Sequence, residues 1–309
     1  MEGPTTRVLA ADAAGVAAAV RLLNGGYVVA APTETVYGLA ARAADADAVA
    51  RIYAAKGRPD FNPLIVHVAD IDQAATLVEL PDLAVRLMSR FWPGALTLVL
   101  PARRHAKVAA AVRAGLPTLA VRCPAHPVMQ ALIAGAGPLA APSANRSGRL
   151  SPTRAEHVLA SLDGRIPLIL DAGPCAAGLE STIVRIEGDT ATLLRPGAIA
   201  AERLGVRLGV AAPGIAAPGQ LASHYAPRQP LRLDARTAGL DAFHIGFGAV
   251  RGDRSLSLSG DLDEAAAALF EALHEAEVSG RATIAVAPIP ERGLGAAIND
   301  RLRRAATRD

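Results

Sequence analysis

Aromatic side chains are scarce in this chain: one Trp, four Tyr and five Phe are spread over 309 residues. Surfaces that read single-stranded RNA stack bases on clustered aromatics, so a dedicated nucleic-acid reader fits poorly. Cysteine is scarcer still. Cys123 and Cys175 stand alone without a Cys-x-x-Cys pair, which excludes a zinc ribbon or disulfide framework and suits a reduced, cytoplasmic setting. No signal-like start is present, and Arg, Asp and Gly interrupt every Ala-rich run. No uninterrupted apolar stretch therefore reaches the about 18 residues of a membrane span. Also missing are Gly-x-x-x-x-Gly-Lys-Ser/Thr, Gly-x-Gly-x-x-Gly, a nucleophile elbow and a triad pattern, so neither a P-loop nor covalent hydrolysis is indicated.

Lysine is the next shortage. Thirty of 32 basic residues are Arg, and Lys56 and Lys107 are the exceptions. Lys56 opens the segment Lys56-Gly57-Arg58-Pro59-Asp60-Phe61-Asn62-Pro63, which runs into the apolar Leu64-Ile65-Val66-His67-Val68. A compact ammonium beside a planar guanidinium can grip a polyphosphate in two ways, although a solvated charged turn has the same composition. Net charge is +3 with a pI near 9.2. Such a modest excess is compatible with anionic small molecules and with weak RNA contact.

Half of the chain, 51%, is apolar, which is ample to bury a core, and the length exceeds what one core usually fills. Residues 12 to 23 have helical spacing and end at Asn24-Gly25-Gly26, and a second helix begins near Asp45. Apolar runs at 27–31, 64–68, 96–100, 118–121, 138–141, 167–170, 182–186 and 191–194 read as strands among helices, a mixed α/β or α+β domain with one large sheet. Glu187-Gly188-Asp189 predicts a hairpin between the last two. Residues 209–230 carry Pro213, Gly214, Pro218, Gly219, Pro227 and Pro230 without periodicity, a linker too long for an ordinary loop. The expected division is a domain over 1–208, the linker over 209–230 and a small α/β domain over 231–309, with strands near 242–247 and 282–287, a helix at 261–278 and a final Arg-rich helix.

Several constellations carry polar chemistry. Pro32-Thr33-Glu34-Thr35-Val36-Tyr37-Gly38 places hydroxyls around one carboxylate on a turn. His67 shares a strand face with Ile65, and lines a cleft or sits satisfied in the core. Thr118 and Arg122 share a face of another strand, and an arginine in so apolar a run requires a carboxylate, either from the protein or from a ligand. Pro142-Ser143-Ala144-Asn145-Arg146-Ser147-Gly148 turns through small residues toward Ser151-Pro152-Thr153 and a helix start. Glu180-Ser181-Thr182-Ile183 and Leu194-Arg195-Pro196-Gly197 add hydroxyls and a cation at strand ends.

In order, the segments Pro32–Gly38, Lys56–Val68, Thr118–Pro124, Ser143–Thr153, Ser181–Val184, Arg195–Gly197 and Ser223-His224-Tyr225-Ala226-Pro227 resemble the YrdC-type L-threonylcarbamoyl-adenylate synthases, over about the first 230 residues. The linker and extra domain look like the long, two-domain form. The resemblance implies a twisted, mostly open sheet with a concave cationic face. It also implies a reaction: L-threonine, bicarbonate and ATP give L-threonylcarbamoyl-AMP and pyrophosphate, the first step toward threonylcarbamoyladenosine on tRNA.

By the same likeness Thr35, His67, Arg122 and Ser181 would hold threonine. Lys56, Arg58, Asn62, Thr118, Ser143, Asn145, Ser151 and Arg195 would line the ATP site, with Lys56 and Arg58 catalytic and Tyr225 of the linker closing over it. Magnesium would arrive with ATP and need no protein ligands, and the product would pass to a downstream tRNA threonylcarbamoyl transferase. One departure is Arg185, where such proteins often carry an acidic residue. Two other classes share parts of this pattern. A non-catalytic RNA-binding protein is disfavoured by the few aromatics, and a carbamoyltransferase of hydrogenase maturation by the missing zinc cysteines.

Overall fold

A computed structural model describes residues 5–210, 214, 217–219 and 224–307. Pro213, Ser223 and parts of the 209–230 segment lie outside the described residues. The chain order is β1 (Arg7–Ala10), α1 (Ala13–Asn24), β2 (Val29–Ala31), β3 (Gly38–Arg42), α2 (Ala46–Lys56), β4 (Ile65–His67), α3 (Ile71–Ala75), α4 (Asp82–Phe91) and β5 (Leu96–Pro101). There follow α5 (Ala110–Arg113), β6 (Thr118–Arg122), α6 (Pro127–Ala136), β7 (Leu139–Ala140), α7 (Ala155–Leu162), β8 (Leu168–Asp171), β9 (Thr182–Glu187), β10 (Thr190–Arg195) and β11 (Leu208–Val210). These strands form one mixed sheet of 11 in the order β1-β8-β2-β3-β7-β4-β6-β5-β9-β10-β11.

Local chemistry sets the elements that matter for the site. Asp45 caps α2 by accepting from the Ala48 N–H, and the helix stops at Gly57, whose φ of 60° is the left-handed value a glycine adopts without penalty. Lys56 is therefore the last helical residue, and Arg58 leaves the helix in a new direction. Gly188 turns the expected hairpin, with β9 and β10 antiparallel. Parallel pairing of β4 with β6 and antiparallel pairing of β6 with β5 put His67, Arg122 and Thr97 in one row. Ile65, Ala120 and Val99 form the next row, on the same face because strand side chains alternate. That second row belongs to a small apolar cluster with Ile183, Leu194 and Ala217. A far larger core, including Ile52, Leu64, Val66, Leu98, Leu119 and Val121, packs between the strands and α2 and α4. Each such side chain contributes about 1.5–3 kcal/mol on burial.

A second, parallel sheet is made by β12 (Leu231–Arg232), β13 (Ala242–Gly246), β14 (Arg254–Ser255) and β15 (Thr283–Val286), in the order β12-β15-β13-β14. Helices α8 (Leu262–Val278) and α9 (Leu294–Ala306) pack on it. Its core takes in Tyr225 of the linker and continues into the first unit through Val36, Leu150 and Leu179. The seam is tight: a Cβ on Gly178 would lie 2.4 Å from the Ala267 carbonyl oxygen. Arg154 pairs with Glu271 at 2.8 Å, Arg149 pairs with Glu277, and the rings of His157 and His274 stack 3.7 Å apart. The C-terminal unit thus borders the same corner of the large sheet as the polar strand ends.

Candidate active site

The turn after β2 is organised by its own hydroxyls. Thr33 Oγ1 donates to the Val36 carbonyl at 2.7 Å and accepts from the Thr35 and Val36 N–H groups, which leaves Thr35 Oγ1 to accept from Arg122 Nη1 at 3.0 Å. Arg122 also donates from Nε to the Gly94 carbonyl, and its Nη2 stands 2.7 Å from Glu34 Oε1. A protein carboxylate thus pairs with one nitrogen of Arg122, whose fork has further N–H donors. Burial pushes the Glu34 carboxyl up, but the charge and hydrogen bond of Arg122 outweigh it and hold the group below its ordinary value.

His67 ends β4 beside Arg122 and is a cleft histidine, with its Nδ1 buried and unpartnered. Burial, reinforced by Arg122, pushes its pKa well below the ordinary value, so the ring is neutral at physiological pH. Ser181 Oγ lies 2.7 Å from Thr97 Oγ1, and the Ser181 carbonyl accepts from Arg195 Nε and Nη2 at 3.2 and 2.8 Å. Arg58 folds back on its own segment, donating to the Asn62 and Pro63 carbonyls. Burial pulls its pKa down to about 10, which still leaves a cation at neutral pH.

Thr35, Arg58, His67, Arg122, Ser143, Ser181, Arg195 and Tyr225 border one cavity, joined by Thr33, Glu180 and His224. The free space is about 50 Å³, enough for a water or two and far below the about 300 Å³ of a small-ligand pocket. Its roof is Pro218, Gly219, His224 and Tyr225. Arg195 Nη1 donates to the Pro218 carbonyl at 3.3 Å. Tyr225 is held at a φ of 60° with its hydroxyl buried and unpartnered.

Five of the residues expected at the site do not border this cavity. Lys56 Nζ is buried beneath the Ser143 turn, donating to the Ser143 and Asn145 carbonyls at 2.6 and 2.5 Å. Asn145 spends its amide N–H groups on the Arg146 and Arg149 carbonyls, while its Oδ1 is unpartnered. Asn62 is buried with both side-chain polar atoms unpartnered. Ser151 donates to Glu180. Thr118 stands at the far end of β6, about 13 Å along the strand from Arg122. Arg185 shares the β9 face of Ile183, opposite Val99, with Glu187 at 3.6 Å. Sequence reasoning gives no site role to Thr97, Glu180 or His224. Glu180 and His224 stand within motifs already quoted, while Thr97 lies in an apolar run and gives no signal. Among the described residues no group of three or more His, Cys, Asp or Glu stands together to hold a metal, and no helix is long and apolar enough to cross a membrane.

Comparison with known proteins identifies the family. Residues 21–197 match the Sua5/YciO/YrdC family model, described as "Telomere recombination", and residues 190–307 match the model described as "Threonylcarbamoyl-AMP synthase, C-terminal domain". The chain is 42% identical to the threonylcarbamoyl-AMP synthase of Bacillus subtilis, over 94% of this chain and 92% of that one. It is 39% identical to that of Pyrococcus abyssi over 93% of each. The crystal structure of P. abyssi Sua5 complexed with L-threonine superposes with a TM-score of 0.87 at 37% identity, covering 94% of both chains. A doubly substituted form of that protein gives 0.89 at 34%, covering 97% and 96%. The chain belongs to the threonylcarbamoyl-AMP synthase family, in the two-domain form that joins a YrdC-like unit to a dedicated C-terminal domain.

Proposed function

We propose that this chain converts L-threonine, bicarbonate and ATP into L-threonylcarbamoyl-AMP and pyrophosphate, supplying the activated group for threonylcarbamoyladenosine on tRNA. The observation that carries the reading is the convergence of Thr35, His67, Arg122 and Ser181 with Arg58 and Arg195 on one cavity. The first four take threonine: Arg122 receives its carboxylate, while neutral His67 and the hydroxyls of Thr35 and Ser181 meet its polar groups. Arg58, Arg195 and Lys56 neutralise the triphosphate, and Ser143, Asn145 and Ser151 shape its turn. Asn62, whose amide nitrogen and oxygen are both unpartnered, can donate to or accept from a nucleotide, and the unpartnered Oδ1 of Asn145 can accept from one. The apolar cluster of Ile65, Val99, Ala120 and Ile183, with Thr118 at its edge, suits a flat base.

The chemistry needs no protein nucleophile. The threonine amine and bicarbonate give a carbamate and water, and a carbamate oxygen then attacks the α-phosphorus as pyrophosphate leaves. Arginines and amides hold the two anions in line and stabilise the charge that develops. Magnesium enters as part of the MgATP substrate. Residues 1–208 form the catalytic domain, 209–230 a lid and 231–309 the accessory domain. Tyr225 closes the lid over the reactants, where excluded water spares a hydrolysable product. The reaction is cytoplasmic, and the product passes to a tRNA threonylcarbamoyl transferase, with at most weak RNA contact by this chain. Incubation with ATP, magnesium, bicarbonate and threonine tests the reading through pyrophosphate release. Release indifferent to omission of threonine or bicarbonate defeats it.

A further inference from the structure

Glu180 is an anion in the wall of a cavity otherwise edged by Arg58, Arg122 and Arg195. Burial pushes its carboxyl up, but Arg301 and Arg195, with hydrogen bonds from Ser151 and Arg301, outweigh that and keep it ionised. Left alone, such a charge opposes a polyphosphate. Both of its oxygens are engaged: Ser151 Oγ donates to Oε1, and Arg301 Nε donates to Oε2 at 2.7 Å.

Arg301 comes from α9 of the C-terminal unit and is 0% exposed. Burying a guanidinium is costly unless its donors are matched. Here Nη2 donates to the Pro196 carbonyl at 3.0 Å, Nη1 to Asp300 at 2.6 Å, and the guanidinium carbon lies 5.0 Å from the Tyr225 ring centroid. Glu180 immediately precedes Ser181, and Pro196 immediately follows Arg195. One guanidinium therefore grips the two strand ends that carry the cavity's serine and arginine, and the roof tyrosine as well. Gly197 permits that closeness, since a Cβ there would lie 2.4 Å from the Glu180 carbonyl oxygen and 2.5 Å from the Thr182 nitrogen.

We propose that Arg301 is a positioning residue for the ATP side of the site, cancelling the Glu180 charge and fixing Ser181, Arg195 and Tyr225, so that the C-terminal unit serves the reaction through this side chain. The inference rests on the synthase reading and adds a role for the final helix. Arg301 touches no substrate. Its effect falls mainly on ATP: an uncovered Glu180 faces the anion-rich nucleotide, whereas of the threonine contacts only Ser181 adjoins Glu180, and Thr35, His67 and Arg122 lie on other elements.

The test uses the full chain and four variants, R301M, R301K, E180Q and R301M/E180Q, with pyrophosphate release measured against ATP and against threonine, and thermal melts alongside. R301M raises the KM for ATP at least about tenfold, the scale of one unpaired charge a few ångströms away at an effective dielectric of about 20. Threonine KM moves less than about twofold, and R301M/E180Q lowers the ATP value at least about threefold from that of R301M, because the repelling charge leaves with its partner while the hold on Pro196 and Tyr225 stays lost. R301K, which keeps the charge and loses the fork, falls between. If R301M does not fold, R301K against R301K/E180Q carries the same comparison, and the second change must lower the KM for ATP. ATP and threonine KM rising together, or no recovery in a double variant that melts like wild type, overturns the proposal. Wild-type release that ignores threonine or bicarbonate instead defeats the synthase reading, so the two failures are distinct.

Discussion

Lys56→Met separates what a buried cation does for the fold from what it does for the reaction. The ammonium is 2% exposed and bound to two carbonyls, those of Ser143 and Asn145. Removing it leaves two buried acceptors unpaired, at about 1–3 kcal/mol each. Against that, an ammonium need no longer be desolvated, which returns several kcal/mol, and methionine fills most of the stem volume. These terms oppose each other, so the net stability change is within about 2 kcal/mol of zero. Catalysis has no such cancellation. The ammonium stands one carbonyl behind the Ser143 wall of the cavity, and losing one preorganised cation there costs about 2–4 kcal/mol in the transition state, about 30- to 1,000-fold in kcat/KM.

The pH dependence of the same residue gives a second reading. Burial, with Arg58 adding, pushes the Lys56 pKa well below its ordinary 10.5. The ammonium is therefore lost early, and wild-type activity falls on an alkaline limb below that value. Stability from this group moves the other way. Between the depressed folded pKa and 10.5 the unfolded chain binds more protons, so this contribution rises with pH. Urea melts and pyrophosphate kinetics from pH 7 to 10 measure both. A Lys56→Met enzyme within threefold of wild-type kcat/KM, or one with an unchanged alkaline limb, refutes the reasoning.

Two further expectations use the same assays. Arg122→Met leaves Glu34 as an unpaired buried carboxylate and destabilises the fold by about 3–5 kcal/mol; adding Glu34→Gln recovers most of that in urea melts, while threonine KM stays raised at least about tenfold in both variants. A double variant with normal threonine KM removes Arg122 from the threonine site. In acid, burial holds His157 and His224 down to about 3 from 6.5. As pH falls from 6.5 toward 3 the unfolded chain takes up protons that these rings refuse, so stability is lost over that window at up to about 1.4 kcal/mol per pH unit for each ring. His157→Gln removes its share of the slope between pH 6 and 4, and an unchanged slope contradicts a buried neutral imidazole.

Much of this was legible in the sequence because it is local. Asp12, Asp45 and Asp261 each cap the helix that follows, and Glu187-Gly188-Asp189 turns the β9–β10 hairpin. Strand β3 was not legible: Gly-Leu-Ala-Ala-Arg has little strand propensity and owes its conformation to pairing with β2 and β7. Nor was β1, whose exposed edge shows no clean alternation. At the site, residue types could be read from composition and motif, but partners could not. Arg301 and Glu180 are 121 positions apart, and nothing in an Arg-rich terminal helix marks which arginine turns inward. Lys56 shows the same limit in reverse, since its motif declares a cation while only the fold shows that two backbone carbonyls already hold it.

The small size of the roofed cavity bears on how affinity should be read. With about 50 Å³ of free space bordered by Pro218, Gly219, His224 and Tyr225, the proposed lid role requires this roof to shift before a nucleotide enters and to reclose over it. Under that proposed role the apparent dissociation constant is the intrinsic one divided by the fraction of molecules whose roof is displaced. Substitutions that loosen the roof then ease entry but give up the closing contacts of Tyr225 and expose the product to water. Entry and retention are therefore set against each other by the packing of four residues.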